Sequence, residues 1–110
     1  MGTIVYTNLV ELLLEDGNKT EYEMVEEAVK TFGFEDRSKL EHEIKFQLMM
    51  RSDEIIPVDG DKYKLTKLSD CSITGRKAFL DMLKDCSEDY FEVHPEIKKL
   101  KEVLETKIIK

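Results

Sequence analysis

The chain has 110 residues, 41% of them hydrophobic and 37% charged, with a formal net charge of −7. That length suits one small domain with a single modest core, and the composition excludes a disordered tail or a fibrous repeat. No apolar run approaches the roughly 20 residues of a membrane span, Leu12-Leu13-Leu14 being far too short, and the N-terminus lacks the parts of a secretory signal, so a cytoplasmic protein is expected.

Taken in order, the first helix is expected over Thr7 to Asp16, with Leu9, Val10, Leu12, Leu13 and Leu14 as a wide apolar stripe and Gly17 as its left-handed stop. Before it, the β-branched and aromatic stretch from Thr3 to Tyr6 reads as a short strand or a lead-in turn. Thr20 and Glu23 form an S/T-x-x-E capping box that opens a second helix from Glu21 to Phe32. Val25, Ala28, Val29 and Phe32 are its inner line, and Gly33 ends it.

Ser38 and Glu41 offer a second such box for a third helix from Lys39 to Arg51. Leu40, Ile44 and Leu48 face inward. At 100° per residue, Lys39, His42, Lys45, Phe46 and Met49 share the opposite face. Ile55 to Val58 and Lys62 to Thr66 then flank Asp59-Gly60-Asp61 as a hairpin with a glycine available for positive φ. The fold class is therefore mainly α with a small β-hairpin: a winged helix-turn-helix over residues 1–67 with two C-terminal helices added.

Residues 68–110 form that extension, packed on the first module or used for dimerisation. Lys67 to Ser72 reads as a linker, and Ser72 or Thr74 as the cap of a fourth helix with Phe79, Met82, Leu83 and Cys86 inward. Ser87 to Val93 is a connection anchored by Tyr90 and Phe91. His94-Pro95 opens the last helix, whose line of Ile97, Leu100, Leu104 and Ile108 suits internal packing or a homodimer seam.

Charge is unevenly spread. Residues 1–66 carry 15 acidic and 8 basic side chains, whereas residues 67–110 carry 9 of each. Arg37 to Arg51 is locally basic within the acidic half, but no broad basic face is apparent. Cys71, Cys86 and His94 match no standard zinc spacing, and no phosphate-binding glycine loop or nucleophile motif is present. No catalytic residue, metal or cofactor is expected; Asp59 and Asp61 beside Gly60 are ordinary turn chemistry.

Thr20, Tyr22, Glu23, Met24, Val25, Glu27 and Gly33, followed by Asp53, Gly60, Asp61, Tyr63 and Leu65 in the hairpin, resemble the HARE-HTH family of winged helices. That family includes the N-terminal domain of the bacterial RNA polymerase delta subunit. The resemblance spans about half of the chain and rests on caps, core positions and turn residues. It implies a non-enzymatic, transcription-associated module that docks on DNA or on a transcription protein such as RNA polymerase. The chain departs from the delta subunit in lacking a long acidic tail.

For DNA, the candidate contacts are Arg37, Lys39, His42, Lys45, Gln47 and Arg51 on the third helix, with Lys62, Lys64 and Lys67 from the wing. For a protein partner they are Phe46, Met49 and Met50, which need cover if they are not core. The alternative to a transcription role is a pure protein-interaction domain, including an acidic decoy of a nucleic-acid-binding partner.

Overall fold

The computed structural model describes the backbone of residues 2–66 and 70–109, and the side chains of residues 5–66 and 76–106. Helix α1 spans Gly2–Glu15, so the stretch from Thr3 to Tyr6 is helical and not a strand. Val5 and Tyr6 are buried in the core, and that burial outweighs the few tenths of a kcal/mol by which such residues disfavour a helix.

After β1 (Lys19–Thr20), helix α2 covers Glu21–Glu27 and runs on as a wider π-type segment, Ala28–Phe32. The first capping box forms as expected: the Glu23 N–H donates to Thr20 Oγ1 at 3.0 Å, and the Thr20 N–H donates to Glu23 Oε1 at 2.9 Å. Gly33, at φ 78°, closes the π segment, with its own N–H on Val29 O and that of Phe34 on Ala28 O.

The second capping box does not form. Helix α3 spans Arg37–Met50, and Asp36 is its cap, accepting the Lys39 N–H at 3.1 Å. Aspartate caps as well as serine does. Starting two residues early also leaves Glu41 to pair with Arg37, 3.2 Å away.

Strands β2 (Ile55–Val58) and β3 (Lys62–Leu65) make the antiparallel wing, with Ile55 opposite Leu65 and Val58 opposite Lys62. Its turn uses Gly60 at φ 77° followed by Asp61 at φ 61°, the left-handed pair that a glycine-aspartate step allows. β1 pairs with β3, so the sheet has three strands in the order β1-β3-β2 instead of a hairpin alone. The protein is mainly helical with this small sheet, in a winged-helix-like order of helix, strand, two helices and hairpin.

Three helices follow, not two: α4 (Asp70–Leu83), α5 (Glu88–Val93) and α6 (Pro95–Ile109). The expected connection at Ser87 to Val93 is helical because Ser87 caps it, accepting the Tyr90 N–H. Ser72 and Thr74 lie within α4 and do not cap it; the rest of the expected linker, Lys67 to Ser69, lies outside the described residues. Leu9 and Leu13 of α1, Met24, Leu40, Ile44, Ile55, Phe79, Leu83, Leu100 and Leu104 are all buried in one core cluster. Ile97, Leu100 and Leu104 are thus filled against from within the chain and offer no dimer seam; the Ile108 side chain lies outside the described residues. No helix among the described residues is long and apolar enough to cross a membrane.

The cap gives a direct test. Replacing Thr20 with alanine is expected to lower stability by about 1 kcal/mol, read from urea unfolding at neutral pH. Glu23 and Glu26 add a pH dependence. The Thr20 backbone N–H holds the Glu23 carboxyl below its usual range, and the bond from Arg37 does the same for Glu26. Folded values below the unfolded value of about 4.3 contribute stability above that pH and lose it as pH falls through the folded values. Glu23→Gln, which keeps an acceptor for the cap but does not titrate there, should flatten the acid side of the unfolding profile.

Candidate recognition face

Helix α3 is held by Leu40, Ile44 and Leu48, all turned into the core. The stripe behind them carries Lys39, His42, Lys45, Phe46, Met49 and Met50, every one exposed. Phe46 is 37% exposed, Met49 66% and Met50 65%, so neither α1 nor the C-terminal helices provide the cover such groups call for. On the wing, Lys62 and Lys64 point outward, and Ile56, 37% exposed, stands opposite Lys64.

Three of the DNA-contact candidates are engaged inside the protein. Gln47 is buried, and its Oε1 accepts the Thr7 hydroxyl at 3.1 Å; three residues beyond Ile44, it belongs to the inner line. Arg51 also turns inward, its Nη1 lying 2.9 Å from Glu11 Oε1 and its Nη2 2.8 Å from Glu54 Oε2. Arg37 is exposed but is claimed by Glu26 and Glu41, and its guanidinium lies 5.8 Å from the centre of the Tyr22 ring. The Glu26 bond pushes its pKa further up, so the charge stays but is locally neutralised. Lys39, His42, Lys45, Lys62 and Lys64 remain outward.

A buried ionic cluster is the feature that periodicity missed. Glu11, 2% exposed, meets Arg51 through Oε1 and Arg76 through Oε2, the latter at 3.4 Å; Arg76 also binds Glu15. Burial draws the Arg76 pKa down, and Glu11 offsets only part of that. The available signal was positional. Glu11 sits inside the leucine stripe, and Arg76, Phe79 and Leu83 fall at i, i+3 and i+7 of α4. Arg76 occupies the inward position that Met82 was expected to share; Met82 is 44% exposed.

A second unforeseen feature is a cleft of about 160 Å³ where the start of α3 meets α1, α5 and α6. Tyr6, Phe34, Lys39, Tyr90, His94 and Glu96 line it over a floor of Val5 and Ile97. His94 Nδ1 lies 3.5 Å from Glu96 Oε1, and the His94 and Tyr90 rings meet at a tilt with 4.8 Å between centres. Cys86 is a free, half-buried thiol, and the Cys71 side chain lies outside the described residues. Among the described residues, no three histidine, cysteine or carboxylate side chains converge as metal ligands.

Comparison with protein-family models, curated proteins and solved structures returns no match.

Proposed function

We propose that this chain is a non-enzymatic, transcription-associated winged-helix module that docks on a protein partner through α3 and the wing. The observation that carries this reading is the exposure of Phe46, Met49 and Met50 on the helix that a winged helix offers to its target. Spaced i, i+3 and i+4, they form one apolar strip, with Lys39 and Lys45 along the same side of the helix. Apolar groups beside lysines suit an amphipathic helix with acidic flanks better than a phosphate backbone. The net charge of −7 opposes a polyanion in general, and two of the DNA-contact candidates, Gln47 and Arg51, are turned inward.

Phe46→Asp is expected to abolish capture of a partner that the unaltered chain retains, and to weaken the purified 1:1 complex by at least about tenfold, as loss of a central anchor does. Circular dichroism should not change, because Phe46 contributes little to the core. Equal affinity of the two chains for that purified partner would reject the docking face.

Docking on DNA is the second reading, favoured by the outward Lys39, Lys45, Lys62 and Lys64 on helix and wing. It requires salt-sensitive binding to mixed-sequence duplex that weakens when Lys39, Lys45 and Lys62 are neutralised. No binding at low salt removes it.

A further inference from the structure

The cleft at the start of α3 is walled by rings. Tyr6 and Phe34 lie 6.0 Å apart between centres at 42°, and Tyr90 and His94 lie 4.8 Å apart at 44°. Aromatic faces carry negative charge density and attract cations, most strongly where water is excluded. Val5 and Ile97, both buried, give the cleft an apolar floor, although it is open to solvent on the His94 side.

One carboxylate and one lysine line the cleft, and further carboxylates stand near it. Glu96 lines the cleft, and Glu43 and Asp36 lie close enough to act with it on the Tyr6 hydroxyl. Burial raises the pKa of that phenol, and the three carboxylates push in the same direction. Tyr90 is raised too, by burial first and then by Cys86 and Glu96. Lys39 is the one lysine or arginine among the lining residues, and it is exposed.

From the walls, the carboxylates and the size together, we propose that this cleft binds an alkylammonium group, with the rings of Tyr6, Phe34, Tyr90 and His94 around the cation and Glu96 as its counter-ion. A volume of about 160 Å³ is enough for a quaternary ammonium head, with the rest of a larger ligand left outside the cleft. The same head group occurs on a methylated lysine side chain and on a small free amine such as choline. The inference does not rest on what α3 docks against, since only Lys39 belongs to both surfaces.

The test is a titration of the full chain with tetramethylammonium chloride, followed by the aromatic NMR resonances, with sodium chloride at equal ionic strength as control. Saturable shifts of the Tyr6 and Tyr90 rings are expected. Glu96→Gln and Tyr90→Ala should each raise the dissociation constant by about tenfold, in line with loss of a counter-ion or a cation–π wall. Lys39→Met should lower it, because it removes a like charge while leaving the fold untouched. Choline and a trimethyl-lysine peptide then separate the two sources, and tighter binding of either supports the site. Absence of saturable shifts overturns the proposal. So does saturable binding of benzoate in place of tetramethylammonium, or a dissociation constant unchanged in both Glu96→Gln and Lys39→Met.

Discussion

Replacement of Glu11 with alanine is expected to lower stability by about 3–5 kcal/mol, measured by urea unfolding with circular dichroism. Both oxygens of this buried carboxylate are committed, one to Arg51 and one to Arg76. Truncation leaves two guanidinium groups facing a space that water fills poorly. The Arg76 side chain is 7% exposed and that of Arg51 13%. Glu15 and Glu54 still neutralise part of that charge, which places the loss toward the lower end of the range. Even so, it is a large share of the roughly 5–15 kcal/mol that holds a domain of this size together. Glu11→Leu combined with Arg76→Leu should lose less than the two single changes added, because the pair leaves together. A loss under about 1 kcal/mol for Glu11→Ala would equate the cluster with a surface ion pair.

The cluster also bears on how the proposed docking face is aimed. Glu11 belongs to α1, Arg51 caps the end of α3, Glu54 leads into the wing and Arg76 belongs to α4. Apolar contacts among these elements tolerate small rotations, whereas a carboxylate forked between two guanidinium groups is satisfied over a narrow range of positions. The end of α3 carrying Met49 and Met50 is therefore fixed relative to α1 and α4 by charge as well as by packing. A docking face needs that rigidity, since ordering it on binding would subtract from affinity.

The elements were legible where local chemistry decides them. Thr20 with Glu23, the stop at Gly33 and the Asp59-Gly60-Asp61 turn each stand where their spacing places them. Legibility failed where two local solutions compete or where a distant partner decides. Asp36 and Ser38 are both good caps, and the ion pair of Arg37 with Glu41 accompanies the earlier start. Thr3 to Tyr6 looks extended by propensity, but burial of Val5 and Tyr6 makes it helical. The helical wheel puts Phe46 and Met49 opposite Leu40 and Ile44, but that the C-terminal helices leave them and Met50 uncovered does not follow from it. Gln47 and Arg51 fall on the inner side of the same wheel, beside Leu40 and Ile44, but their polarity points them outward, and the partners that satisfy them inside, Thr7 and Glu11, lie 40 residues upstream. The aromatic cleft draws its walls from α1, the loop before α3, α5 and the start of α6, and no periodicity within one element reports such a meeting.

Phe79→Ala is the other substitution expected to cost heavily, about 3–5 kcal/mol. Phe79 is the largest of the fully buried side chains and lies on α4, which packs against both α1 and α6. Its removal takes away transfer free energy and leaves a cavity that three helices close only partly. The shape of the unfolding curve matters as much as its midpoint. If α1, α4 and α6 share one core, as the continuous cluster from Val5 to Leu104 indicates, the variant should unfold in a single transition with an unchanged slope against urea. Two transitions, one near the original midpoint, would mean that α4 to α6 unfold apart from the winged-helix-like part. Phe79→Leu, which keeps most of the volume, should recover most of the loss, separating the cavity from any effect of the ring itself.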